Sequence, residues 1–227
     1  MTVTKQGLIL AIGLVFTFPI NAEERLDGCR GEKNLFWTEC IGSEMDDQGN
    51  VYVGQYFNGR KDGFGNFTFN NGIQYNGEFT DGWRHGRGKI TWPDGSFYEG
   101  KYEFDKRNGN GLEILATGER YSGHFKDGHR DGLGHLVHEN GDEYFGEFKK
   151  GVKFGVGEYK FSSGENYVGE FRDDERSGKG HMTFRNGSIY VGRYSHDRPD
   201  GVGKLIDRHG RVVRSGLWRN GIYKLKM

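Results

Sequence analysis

Hydrophobic and polar positions alternate along most of this chain, and the alternation itself recurs at a fixed spacing. Tyr52, Tyr75, Tyr98, Tyr121, Tyr144, Tyr167 and Tyr190 follow one another every 23 residues without insertion or deletion. Two positions after each comes a glycine, from Gly54 to Gly192. Four positions after each comes an aromatic residue: Tyr56, Phe79, Tyr102, Phe125, Phe148, Phe171 or Tyr194. Offsets of zero, two and four share one face of a β-strand. Later in every unit a Gly-x-Gly pair, Gly63 and Gly65 in the first and Gly201 and Gly203 in the last, opens a second stretch. Mostly apolar residues follow at the same parity, among them Phe67, Phe69, Ile90, Trp92, Tyr159, Phe161, Met182 and Phe184. A strict period of two, where a helix needs three and four, predicts a second strand with one buried face. Each unit is therefore a two-stranded hairpin.

A further glycine column, Gly72, Gly95, Gly118, Gly141, Gly164, Gly187 and Gly210, often follows a turn former such as Asn71, Asp94, Asn140 or Asn186. It marks the connection from one hairpin to the next. For the inward columns on both sides to share one face, this connection needs an odd number of residues, so a three-residue turn with a left-handed glycine is expected. Glycine inside a strand forfeits packing, so the strand glycines need a reason. In the simplest register Phe79 lies opposite Gly86 and its ring rests on bare backbone. Gly132→Val is then expected to strike the ring of its own repeat.

These residues resemble the MORN (membrane occupation and recognition nexus) repeat, whose unit reads Y-x-G-x-[FWY]-x-x-G-x-x-x-G-x-G with another glycine before the next tyrosine. The likeness spans about Gly49 to Gly210. It implies an all-β fold: an elongated, solenoid-like single sheet of about seven stacked hairpins. Asp105, Asp174 and Asp197 depart from it, standing where Gly59, Gly82, Gly128 and Gly151 occupy the hairpin loop. A left-handed aspartate or a different turn is expected there. Glu113, His138 and Asp207 fall at inward positions that are apolar elsewhere, which predicts either a bulge or a polar notch.

The ends of the array need caps. Residues 23–48 read as an irregular N-terminal cap, a worn repeat with Cys29 at the tyrosine place and Cys40 at a glycine place. Residues 49–211 hold the seven repeats. Residues 212–227 read as a closing half-repeat, with Arg214, Gly216 and Trp218 echoing the Tyr-Gly-aromatic pattern one residue late. Two cysteines in an exported chain predict one disulfide. In the simple register, however, Cys29 and Cys40 sit about four residues out of alignment, ~13 Å along the strands, which is too far to bond. The cap is irregular, or the thiols are free.

Export itself is read from residues 1–22. Lys5 precedes an apolar stretch from Leu8 to Ile20, Pro19 lies near its end, and small Ala22 precedes Glu23, so cleavage after Ala22 is expected. The apolar stretch is short of the ~20 residues of a spanning helix. The destination is periplasmic or secreted, with a peripheral membrane position open.

Composition narrows the chemistry. With 33% hydrophobic residues, 40 glycines and 3 prolines, the chain cannot build an ordinary globular core, yet 15% aromatics sets it apart from a disordered linker. Lys plus Arg equals Asp plus Glu at 32 each, which lacks the basic excess of a nucleic-acid binder. No nucleophile elbow, phosphate loop or zinc spacing occurs, and the Gly-x-Gly-x-x-Gly-like strings precede strands, not helices. The chain reads as non-catalytic, with no cofactor and no metal. His124, His129, His135 and His138 fall in one repeat but are expected on two faces and a loop.

Two binding surfaces remain. Tyr98, Tyr102, Tyr121, Phe125, Tyr144 and Phe148 are expected to line an accessible aromatic face for a protein or peptide partner. Lys61, Arg84, Arg107, Arg130, Lys153 and Arg176 occupy one column of the hairpin loops and could meet an anionic lipid surface. Asp62, Asp81, Asp127 and Asp131 in the same loops argue instead for a neutralised edge. A protein-interaction scaffold is the first reading, anionic lipid the second, and self-association through the sheet a further possibility.

Overall fold

The computed structural model describes residues 26–30 and 37–226, and the expected signal segment 1–22 lies outside them. Alternating residues commit the chain to strands throughout. In order these are β1 (Cys40–Met45), β2 (Val51–Phe57), β3 (Arg60–Thr68), β4 (Gln74–Thr80), β5 (Trp83–Thr91), β6 (Phe97–Glu103), β7 (Lys106–Ile114), β8 (Arg120–Lys126) and β9 (His129–Val137). They continue as β10 (Glu143–Lys149), β11 (Val152–Lys160), β12 (Asn166–Arg172), β13 (Glu175–Thr183), β14 (Ile189–Ser195), β15 (Arg198–Ile206), β16 (Val212–Arg219) and β17 (Ile222–Lys226). Each pairs antiparallel with the strand before and after it, giving one open meander of 17 strands. At ~4.8 Å per strand the array extends roughly 75 Å.

Two turn types alternate, and local chemistry selects each. Within a hairpin the loop is two residues long, as between Phe57 and Arg60, and both residues are left-handed: Asn58 and Gly59 have φ of 48° and 72°. This is the type I′ geometry that matches strand twist. Asp105, Asp174 and Asp197 adopt φ of 66°, 68° and 64° at the second position, so aspartate replaces glycine without changing the turn. Between hairpins the loop is three residues long, as expected. The Phe69 N–H donates to Ile73 O, the Gly72 N–H donates to Phe69 O, and Gly72 has φ 84°.

One feature was not foreseen. In every hairpin the register skips just after the second-column glycine, as at Gly54 and Tyr56, where Gly54 pairs Gly65 but Tyr56 already pairs Lys61. This bulge shifts the partners of the aromatic residue. Phe79 lies opposite Arg84 within its hairpin and opposite Gly63 of the preceding one, not opposite Gly86.

The N-terminal cap is irregular and bonded, one of the two alternatives the sequence leaves open, while the C-terminal end differs from expectation. Cys29 and Cys40 are bonded, with their Cα atoms 5.0 Å apart. The simple-register distance fails because residues 26–30 do not form the antiparallel partner of β1; Gly28 instead bridges Ile41 in parallel. Trp37 takes over the tyrosine's place in the cap: its ring covers Gly42 and meets Tyr56 edge-on at 4.9 Å. At the other end two strands form in place of a half-repeat. Leu205 pairs Arg214 while Ile206 pairs Val212, so an extra residue at Val213 bulges out, which is why the closing pattern runs one residue late.

Candidate functional site

The inner face is organised by its tyrosines. Each ring lies flat along its strand over two paired glycines: a Cβ added to Gly77 or Gly88 would come within 2.6 or 2.3 Å of the Tyr75 hydroxyl. Space for the ring is what demands glycine there. The hydroxyl then donates to the carbonyl three residues on, Tyr75 to Glu78 at 2.9 Å and Tyr121 to His124 at 2.9 Å, and the same bond recurs in all seven repeats. That carbonyl belongs to the bulge, so the tyrosine supplies a partner where the ladder does not.

Every ring also meets two aromatics edge-on. Tyr75 lies 5.2 Å from Phe79 of its own repeat and 5.2 Å from Tyr102 of the next. Such pairs add about 0.5–1.5 kcal/mol each beyond area burial. An aromatic spine thus runs from Trp37 to Tyr223. It is closed. Tyr98, Tyr102, Tyr121, Phe125, Tyr144 and Phe148 are 4% exposed or less, so the expectation of an accessible groove lined by these six rings is corrected. They join repeat to repeat.

The cation column is corrected too. Because the hairpin loop is only two residues long, Arg84 and its equivalents sit inside strands, paired with the second aromatic on the inner face. The Arg84 guanidinium lies 5.6 Å from the Tyr75 ring and 5.4 Å from Tyr102, and it pairs with Asp105 at 2.9 Å. Arg176 repeats this with Tyr167, Tyr194 and Asp197. Lys61 covers Tyr52 and Phe67. Lys153 covers Tyr144 and Tyr159, and burial pushes its ammonium below the ordinary lysine value. These cations roof the spine and do not line a free edge.

Arg107 and Arg130 also roof spine rings, Arg107 at 5.0 Å from Phe125 and Arg130 at 4.8 Å from Tyr121, and have a second role at the notch made by Glu113. Glu113 sits between them, bonded to the Arg107 Nη1 and, at 2.8 Å, to the Arg130 Nη2. Arg130 reaches Glu119 at 2.9 Å, and Glu119 meets His138 Nδ1 at 3.3 Å. His138 Nε2 is buried without a partner. Of the two alternatives raised by these polar residues, the notch holds at Glu113 and His138. Asp207 instead caps its own turn through the His209 and Arg211 N–H groups.

Beside this notch the inner face stays open. A groove of about 570 Å³ lies between the second and third repeats, walled by Ile90, Trp92, Leu115, Ser96, Arg107 and Glu113, with Tyr102 at its floor. The Tyr102 hydroxyl is buried and unpartnered. Equivalent residues in four other repeats are phenylalanine (Phe79, Phe125, Phe148, Phe171) and in two are tyrosine; Tyr56 donates to Glu44, and of the three hydroxyls in this column only that of Tyr102 is buried without a partner among the described residues. Sequence parity placed Trp92 on the inner face, but nothing in it showed which inner positions the roofing cations would leave uncovered.

His135 stacks on Phe145 at 3.8 Å on the outer face, while His138 lies in the notch, so the histidines do not converge. Among the described residues no group of three His, Cys, Asp or Glu could hold a metal ion, and no helix is long and apolar enough to cross a membrane.

The family profile of the MORN repeat matches seven consecutive segments: 52–74, 75–97, 98–120, 121–143, 144–165, 167–189 and 190–208. No curated protein matches the chain. Among solved structures it is similar to the TCP domain of Drosophila melanogaster SAS-4 in complex with a proline-rich motif of Ana2. Identity there is 14% over 83% of this chain and 95% of that one, with a TM-score of 0.42. It is also similar to the TCP10 domain of Danio rerio CPAP in complex with a STIL peptide, at 13% identity over 78% and 98% and a TM-score of 0.30. Likenesses this slight carry no argument about a ligand.

Proposed function

The chain belongs to the MORN repeat family, and from that premise we propose that it is a non-catalytic scaffold binding a protein or peptide segment in the open inner-face groove. The observation that carries this reading is the groove itself. It offers accessible Trp92 and Leu115 walls above a buried hydroxyl, Tyr102, that lacks a partner. An apolar wall with a few fixed polar groups is the usual make-up of a recognition site. Side chains of an extended segment would lie on Trp92 and Leu115. The six cations of the loop column are engaged with rings or carboxylates of the chain itself, which holds them on the inner face and not in a free row for an anionic lipid surface.

Export completes the proposal. Its supports are the leader-like pattern of residues 1–22 and the Cys29–Cys40 disulfide, a bond that persists in oxidising compartments. Peptides selected against the purified chain by display should lose at least about tenfold in affinity on Trp92→Ala or Leu115→Glu. Affinity unchanged by both substitutions would refute the groove. Co-sedimentation with anionic liposomes that weakens in salt would favour lipid in its place.

A further inference from the structure

In four repeats a side chain three residues after the tyrosine accepts from the N–H of the residue that follows the left-handed bulge glycine. Gln55 accepts from the Phe64 N–H at 2.6 Å, Glu78 from Arg87 at 2.8 Å, Glu147 from Val156 at 3.2 Å and Glu170 from Lys179 at 2.9 Å. The acceptor lies over the left-handed bulge glycine, where a Cβ on Gly86 would come 2.6 Å from the Glu78 carboxylate. The trough is thus built to hold one carboxylate oxygen.

In the other three repeats the residue at that place is Lys101, His124 or Arg193. Each side chain lies in the same trough: the Lys101 Cδ is 3.3 Å, and the His124 Cβ 3.1 Å, from a Cβ added to Gly109 or Gly132. Lys101 and Arg193 carry donors only, and none of the three positions supplies a carboxylate. Among the described residues no side chain accepts from Asn110, Leu133 or Val202, and none of the three basic residues is in an ion pair. Leu133 is 70% exposed, so its trough opens to solvent. A trough that elsewhere holds an internal carboxylate here joins an N–H to a basic side chain. That is a complementary seat for a carboxylate supplied from outside.

We propose that Lys101 with the Asn110 N–H, and His124 with the Leu133 N–H, form a pair of receptors for carboxylate side chains of an acidic, extended segment of a partner protein. Equivalent points in adjacent repeats are two strands, about 10 Å, apart, and one turn of a polyproline II segment, three residues at ~3.1 Å each, spans about the same distance and returns to the same face. The preferred spacing is therefore acid-x-x-acid. A flat anionic surface fits poorly, because Glu99, Glu103 and Glu147 interrupt the cations of this face, whereas two side chains on one segment can enter the troughs singly. The site lies opposite the inner groove and is independent of it.

The test uses amide chemical shifts of the purified chain titrated with the capped hexapeptide Ser-Glu-Ser-Ser-Glu-Ser and its glutamine counterpart. The Asn110 and Leu133 amides should shift saturably with the glutamate peptide, less as salt rises, and not with the glutamine peptide. A Lys101→Glu and His124→Glu double variant places the chain's own carboxylates in the troughs, as Glu78 does. It should remain folded and bind at least about tenfold more weakly. Trp92→Ala should leave this binding unchanged, separating it from the inner groove. Absent shifts, equal shifts with glutamine, undiminished binding by the double variant, or displacement of the peptide by inorganic phosphate or anionic vesicles at equal charge would each overturn the proposal.

Discussion

At the scale of single residues, glycine and tyrosine form one device. The ring needs two bare Cα atoms beneath it, and its hydroxyl satisfies the bulge carbonyl. The strain on Gly132 is of another kind: it has φ 99° and a Cβ there meets His124, whereas a Cβ on Gly134 meets Tyr121 at 2.4 Å. Gly134→Val should destabilise the chain by about 3 kcal/mol through overpacking. That cost should shrink in a Tyr121→Ala background, while the cost of Gly132→Val, about 1–3 kcal/mol of backbone strain, should not. Denaturant melts of the four variants and Tyr121→Ala measure this. Tyr121→Phe alone should cost about 1–2 kcal/mol, because the His124 carbonyl loses its donor. The tyrosine and glycine columns were legible in the sequence, but which glycine lay beneath which ring was not. The bulge decides that, and no residue type announces it.

At the scale of the hairpin, turn chemistry sets the register. Two left-handed residues close each hairpin, and the first of them at the third repeat is Phe104, with φ 45° and 59% exposed. A side chain of this size is strained in that region, where asparagine is at home. Phe104→Asn should therefore stabilise the protein by roughly 0.5–1 kcal/mol, read as a rise in melting temperature. The parity argument for a three-residue connection at Gly72 rested on period two alone and holds. The parity of Arg84 was missed because the loop is shorter than its glycine and aspartate content suggested, which moves the cation from a free edge onto the aromatic face.

Across the whole molecule, stability is assembled by neighbours. Strands pack against the strands adjacent in sequence, so damage should stay local. Reducing Cys29–Cys40 should speed amide exchange in β1 and β2 and leave β8 to β16 protected, as read by hydrogen exchange. The spine also couples folding to alkaline pH. Burial pushes Tyr121 and Tyr190 up to about 12 and the other spine tyrosines further. Each is neutral in the fold at a pH where the unfolded phenol has ionised. Their stabilisation is complete below the unfolded value near 10 and is lost as pH rises through the folded values. Unfolding and phenolate absorbance should rise together and cooperatively above about pH 10, and independent titration of exposed tyrosines near 10 would contradict the buried spine.

Repeat length, strand number per repeat, inward face and the three-residue connection between hairpins followed from the sequence, because the period of two and the tyrosine spacing admit one hairpin per 23 residues. The left-handed aspartates and the polar notch were signalled by single departures from the repeat. What only the tertiary structure decided was exposure. Rings expected to be open are closed by cations that parity had assigned to a loop, and the open groove lies instead at Trp92 and Leu115. The irregular path that brings Cys29 to Cys40 was equally hidden, since a parallel bridge at Gly28 follows no periodicity. Local alternation specifies which way a side chain points. What covers it depends on residues of the next repeat, and a bulge between them sets that pairing.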